Sequence, residues 1–334
     1  MDIVIQKTIY FINFNHDHSC FCIGNNEGYE IYNTQPFKKI VEKKLGSSGV
    51  CYITMLSRSN ILGIVLKNTL DDLTNETKLL IWDDKENKKM GCIEFTKRIC
   101  NVFLYNKFIT VSLCDTIYIY NLHSLTLFRK IKTFSNSKGL LECYYNTTRF
   151  MIGCLSKSNN NTIMLYEPCK KIKPVEITAH KSEIRLFKFS NTGNLIATTS
   201  TKGTLIRIYH TLTGDLIKEL RRGSEQILID WIQFSNEDKM ILCRSKKGTI
   251  HLFNLKENRL QQNKKLSFVS FFKNYLPKYF DSEWGFAHFH FPNKKTISVF
   301  STDLKHIIVI SFTGMFYKIN FTNNEYVSIV KEHL

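Results

Sequence analysis

"FSNTGNLIATTSTKGTLIRIY" occupies residues 189–209, and "FSNEDKMILCRSKKGTIHLF" occupies residues 234–253. Superposed at a shift of 45 residues, Phe189 falls on Phe234, Ser200 on Ser245 and Gly203 on Gly248. In each copy the phenylalanine precedes the glycine by 14 residues, and the same interval separates Phe14 from Gly28 and Phe300 from Gly314. Units of roughly 40–45 residues, each holding several short strands and a tight turn, are the signature of a propeller. Reading outward, seven units are recognised by a closing strand of aromatic or β-branched residues: "EIYN" (30–33), "LLIWDD" (79–84), "IYIYNL" (117–122), "IMLYE" (163–167), "IRIYHT" (206–211), "IHLFNL" (250–255) and "FYKINF" (316–321). Gly203 and Gly248 are expected to supply positive φ in the turn before the third strand of a unit. Trp82-Asp83 spells the dipeptide typical of such repeats. The fold expected is all-β: one domain over residues 1–334, a WD40-like seven-bladed β-propeller.

The chain has 334 residues, 43% of them hydrophobic, enough for a substantial core. Lys and Arg number 46 against 29 Asp and Glu, a net +17 that favours anionic partners. No secretory signal is visible in "MDIVIQKTIYFINFNHDHS", and runs such as "HIIVISF" (306–312) are strand-sized. Ten cysteines occur without a C-x-x-C pair, which points to neither a zinc site nor a disulfide framework. Cys20 and Cys22 share one face of a strand and read as buried thiols. A soluble protein of a reducing compartment is expected.

"ELRRGSEQ" (219–226) places two arginines side by side at the end of a strand-like segment. Successive side chains of a strand point to opposite faces, so Arg221 and Arg222 cannot easily serve one small site. Solvated rim cations are one reading. The neighbouring segments supply another. "AHKSEI" (179–184), "TTSTKGTLIR" (198–207) and "CRSKKGTIH" (243–251) gather hydroxyls and cations around two glycine turns. Hydroxyl donors beside lysine and arginine suit a phosphate. Arg221 turned towards the earlier blade and Arg222 towards the later one would serve two such cradles.

These segments resemble the PROPPINs, seven-bladed propellers that bind phosphoinositides in autophagy. The resemblance rests on "AHKSEI", "GTLIRIYHTLTGDLIKELRRGSE" and "SKKGTIHLFNL", and extends to "RSNIL" (58–62), "KLLIWDD" (78–84) and "YFDSEWGFAHF" (279–289). Leu220-Arg221-Arg222-Gly223 is the leucine form of the family's F/L-R-R-G motif. The resemblance implies a first lipid site of His180, Ser200, Lys202, Thr204, Arg207 and Arg221. It implies a second of Arg222, Ser245, Lys247, Thr249 and His251. Thr201 and Lys246 are alternates in register. His180 also reads as a rim histidine capping a turn, and Thr204 and Thr249 as ordinary strand residues. The acidic stretch "KNTLDDLTNET" (67–77) departs from the family in lacking prolines.

Residues 256–282, "KENRLQQNKKLSFVSFFKNYLPKYFDS", form an insertion in the sixth blade long enough to expect a function. Phe268, Val269, Phe271, Phe272, Tyr275 and Leu276 lie among Lys264, Lys265, Lys273 and Lys278, the composition of a short interfacial membrane anchor. Pro277 breaks or kinks any helix there. Beyond 279 the chain reads as a returning strand, with Trp284 and Phe286 in the core.

The function expected is an effector recruited to membranes bearing phosphatidylinositol 3-phosphate or the 3,5-bisphosphate. The resemblance implies autophagy-related protein partners and a cytoplasmic, peripheral location on preautophagosomal or endosomal and vacuolar membranes. A monomer is expected, with no cofactor, metal or catalysis. A WD-type protein scaffold is the alternative, since the fold hosts many functions. Nucleic-acid binding is disfavoured, because no RNA-binding or zinc signature accompanies the charge. Neither "HDH" (16–18) nor "HFH" (288–290) has a ligand partner at metal spacing.

Overall fold

The computed structural model describes residues 7–45, 49–68, 73–255, 283–284, 287–291, 295–303, 305–321 and 329–334. Seven four-stranded antiparallel sheets follow one another along the chain, their strands hydrogen-bonded in chain order, and one short extra strand on the fifth interrupts the sixth before its last strand. First strands of neighbouring sheets lie against one another, which puts them at the centre and the fourth strands outside. The seven recognised segments all fall in third strands: Gly28–Thr34, Lys78–Asp83, Thr116–Asn121, Thr162–Tyr166, Leu205–His210, Thr249–Asn254 and Met315–Asn320. They are therefore not the closing strands expected. A fourth strand follows each, and its composition hides it: "FKKIVEKK" (Phe37–Lys44) is charged at five of its eight positions and largely exposed, whereas Cys20–Asn25 and Phe150–Leu155 are buried throughout.

The residue after the repeated phenylalanine has a definite structural role. Ser190 Oγ accepts the backbone N–H of Leu195 at 3.2 Å, Ser235 Oγ that of Met240 at 3.0 Å and Ser301 Oγ that of His306 at 3.2 Å. In the first blade Asn15 Oδ1 accepts from Cys20 at 2.9 Å. Each closes the hairpin between first and second strands, giving a backbone donor a local acceptor.

Apolar side chains pack between the blades. Phe187, Phe189 and Ile196 of blade five meet Tyr144, Met151 and Leu165 of blade four. Across its other face Ala197, Ile206, Ile208 and Leu220 meet Ile229, Phe234 and Ile241 of blade six. The ring closes where Ile12, Phe21 and Tyr32 of blade one pack on Ile297, Val299 and Phe316 of blade seven. The fourth strand of blade seven is Ile329–His333, from the C-terminal end of the chain, so among the described residues no blade is shared between the two ends.

In blade six the fourth strand is Ala287–His290, paired with Thr249–Leu252. Glu283–Trp284 does not belong to it. These two residues run parallel to the edge of blade five, opposite Leu220 and Arg221, so the returning strand begins later than expected. Phe286 and the insertion at 256–282 lie outside the described residues.

Gly203 has φ +63°, and a Cβ there would sit 1.9 Å from the Ile227 carbonyl oxygen. Gly223 has nothing within 4 Å of its Cβ position. Gly203→Ala should therefore cost on the order of 2 kcal/mol in urea unfolding, and Gly223→Ala less than about 0.5 kcal/mol. Equal midpoints for the two variants would contradict this reading of the turn.

Candidate functional site

Blade five carries the first set of predicted residues. Strand register places Thr198 opposite Arg207, Arg207 opposite Glu219, and Leu205 opposite Arg221. Directly paired residues and their i±2 neighbours share a face, so Ser200, Arg207 and Arg221 lie on one side of the sheet. Arg207 Nε donates to Glu219 Oε2 at 2.8 Å, and Nη1 donates to the Ala179 carbonyl at 2.8 Å. Tyr209 Oη donates to the same carbonyl at 2.8 Å, fixing the segment that brings in His180. His180 is buried, its Nε2 2.9 Å from Thr198 Oγ1. Burial first, and then the Arg207 charge, push its imidazole down to about 4. His180 is thus neutral at physiological pH and contributes a hydrogen-bonding ring rather than a cation. Lys202 is exposed on the turn.

The second set lies on blade six. Cys243 pairs with His251, and Thr249 follows Ser245, whose Oγ accepts the Thr249 N–H at 3.3 Å. Ser245, Thr249 and His251 therefore share a face. Thr249 Oγ1 lies 3.2 Å from His290 Nδ1 on the fourth strand. Lys247 is exposed, its Nζ 3.0 Å from Glu225 Oε2.

Arg222 joins the two. It is 8% exposed, Nε donating to the Gly203 carbonyl at 2.9 Å and Nη2 to the Glu225 carbonyl. Its backbone N–H donates to the Thr204 carbonyl at 2.9 Å. The turn assigned to the first site thus holds the arginine assigned to the second. The charge of Arg222 also reaches blade six, where it pulls against the burial that raises the Cys243 thiol. Burial lowers the Arg222 guanidinium itself. Two of its five N–H donors are committed to carbonyls among the described residues, so donors remain for an oxyanion.

Of the alternates, Thr201 is held through its N–H by the Glu183 carbonyl at 2.9 Å, and Lys246 lines the mouth of the central channel instead of the second cluster. Glu219, Glu225, Thr198 and His290 complete these clusters, and sequence reasoning did not single them out. The signal for the carboxylates was within reach: Glu219 pairs with Arg207 across neighbouring strands, and Glu225 follows the arginine pair by three residues. His290 could be found only from the pairing of a strand beyond the long insertion. The aromatic anchor (Phe268, Val269, Phe271, Phe272, Tyr275 and Leu276) lies outside the described residues. Among the described residues no helix is long and apolar enough to cross a membrane, and no cluster of three His, Cys, Asp or Glu could hold a metal.

Comparison with known proteins decides the family. The PROPPIN family model matches residues 8–331. The chain belongs to the PROPPIN family. Autophagy-related protein 18e of Arabidopsis thaliana is 30% identical over 312 residues, 93% of this chain and 83% of that one. Kluyveromyces lactis Hsv2, solved with its complete loop 6CD, superposes with a TM-score of 0.78 at 23% identity, covering 98% of this chain and 99% of that one. KlAtg21, solved in complex with the coiled-coil of AgAtg16, gives a TM-score of 0.80 at 23% identity over the same shares. These structural likenesses show that this PROPPIN shares their fold.

His18 behaves like His180: burial, then the Lys188 charge, push it down to about 4. Both histidines take up protons near pH 6.5 once the chain unfolds. Stability should therefore be complete above pH 6.5 and fall as pH drops towards 4, each histidine contributing a slope approaching about 1.4 kcal/mol per pH unit. His180→Gln should flatten the decline of the urea midpoint between pH 6.5 and 5. An unchanged slope would show that His180 is not held neutral.

Proposed function

We propose that the protein is a phosphoinositide effector that docks on membranes carrying phosphatidylinositol 3-phosphate and holds an autophagy-type protein partner there. The observation that carries this reading is the division of labour between Arg221 and Arg222. Arg221 shares a face with Ser200 and Arg207 on blade five, while Arg222 bonds the Gly203 and Glu225 carbonyls and its charge acts on Cys243, the residue paired with His251 on blade six. Each cluster offers hydroxyls and a guanidinium, the groups that meet phosphate oxygens bidentately. Membership of the PROPPIN family and the autophagy-related names of its relatives support the lipid class and the pathway. The 3,5-bisphosphate suits the same chemistry. That KlAtg21 is solved with a coiled-coil supports a protein partner alongside the lipid.

The cations are held by protein acceptors before any ligand arrives: Arg207 by Glu219, Lys247 by Glu225 and Arg222 by two carbonyls. A headgroup must displace some of these contacts, so each cradle binds weakly. Two cradles on one rigid rim recover affinity through effective concentration.

Co-flotation with phosphatidylcholine vesicles, with and without phosphatidylinositol 3-phosphate, tests the reading at near-physiological salt. The wild type should float only with the phosphoinositide, and Arg221→Ala/Arg222→Ala should lose at least about tenfold in apparent affinity. Flotation that ignores the lipid or survives the double substitution would leave a protein scaffold without specific lipid binding. Glu225→Gln releases Lys247 from an exposed carboxylate and should raise vesicle affinity about two- to threefold. A fall in affinity would mean that Glu225 orders the site rather than competing for it.

A further inference from the structure

At the end of the central channel where the first strands begin, the blades leave a cavity of about 820 Å³. That is within the size range of sites for small ligands. Its charge is one-sided: six cations line it against the carboxylates Glu142 and Asp230. Two of the six are matched by those carboxylates. Lys188 Nζ lies 3.0 Å from Glu142 Oε2, and the almost wholly buried Arg244 pairs with Asp230. Lys138 is paired outside that lining, its Nζ 3.4 Å from Glu183 Oε1. Arg185, Lys246 and Lys295 remain as excess positive charge, contributed by blades five, six and seven.

Two features mark the cavity as built to receive an acceptor. Arg185 Nε and Thr296 Oγ1 are buried donors with no hydrogen-bond partner among the described residues, and both residues line the cavity. Leaving such donors unmet costs about 1–3 kcal/mol each, which a bound acceptor restores. Lys295 Nζ stands 3.9 Å from the centre of the Phe312 ring, and burial pushes its ammonium down. An anion beside it would reverse that.

We propose that this channel mouth binds a small soluble polyphosphate anion, separately from the rim cradles. Strand alternation makes the separation possible. Ser245 and Lys247 belong to the rim of blade six, whereas their neighbours Arg244 and Lys246 line the channel. Recession at the axis favours a free anion over a headgroup tethered to a leaflet. Three cations beyond those matched by carboxylates favour several phosphates over one.

Isothermal titration calorimetry of the full chain with inositol hexakisphosphate at near-physiological salt tests this. Wild type and Arg221→Ala/Arg222→Ala should bind alike, and Arg185→Gln/Lys295→Gln at least tenfold more weakly. Lys246 is exposed, so Lys246→Gln leaves the fold undisturbed and should weaken binding by about threefold even if the double variant fails to fold. Vesicles carrying phosphatidylinositol 3-phosphate should float Lys246→Gln as well as wild type. Absence of hexakisphosphate binding would overturn the proposal, as would binding indifferent to Lys246→Gln or lost with the rim arginines. Loss of vesicle flotation in Lys246→Gln would make the mouth a lipid site and overturn its assignment to a soluble anion.

Discussion

Apolar packing between blades is the constraint on which the rest depends. No blade buries its own faces; each strand pair needs the neighbour on either side. Blade five shows this directly, with one set of side chains spent on blade four and the alternate set on blade six. Among the described residues the two chain ends share no blade, and the seam between blades one and seven relies on the same packing, with Phe21, Tyr32, Phe37 and Phe316 forming its aromatic centre. Interiors at this density deform little, so the turns and strand ends on the rim are held in fixed relation.

That rigidity lets two-residue periodicity act as a sorting device. Arg221 ends the fourth strand of blade five on the face of Arg207, and Arg222 follows it, bonding the carbonyls of Gly203 and Glu225. Arg244 and Ser245 repeat the arrangement at the end of a second strand, one buried against Asp230 and the other bonded to Thr249. Adjacent cations thus reach separate compartments, and the separation survives only while each strand keeps its register.

The repeat was legible because its marks are local and chemical. A phenylalanine, a capping side chain and a positive-φ glycine recur at fixed spacing, and each has a backbone reason to be there. The third strands were legible from apolar alternation, whereas the outer fourth strands, with charges where the alternation should be, were not. Glu283–Trp284 escaped for another reason: its partner strand lies 63 residues earlier, and no local pattern signals a parallel pairing at that distance. At the rim, the residue types could be read from "LRRG", and so could the face that Arg221 shares with Arg207. The arginines' acceptors could not, since a carbonyl such as that of Gly203 or Ala179 has no letter in the sequence.

Those backbone acceptors bear on the proposed function more than the cations do. A guanidinium held by carbonyls keeps its geometry when no ligand is bound, so less side-chain freedom is lost on binding. The same bonds satisfy part of the donor set and limit what a phosphate can gain. A rim built this way favours weak, preorganised contacts over one tight site. Under the proposed function, lipid recognition would depend on two cradles being engaged together, a condition that a membrane surface meets and a single dissolved headgroup does not.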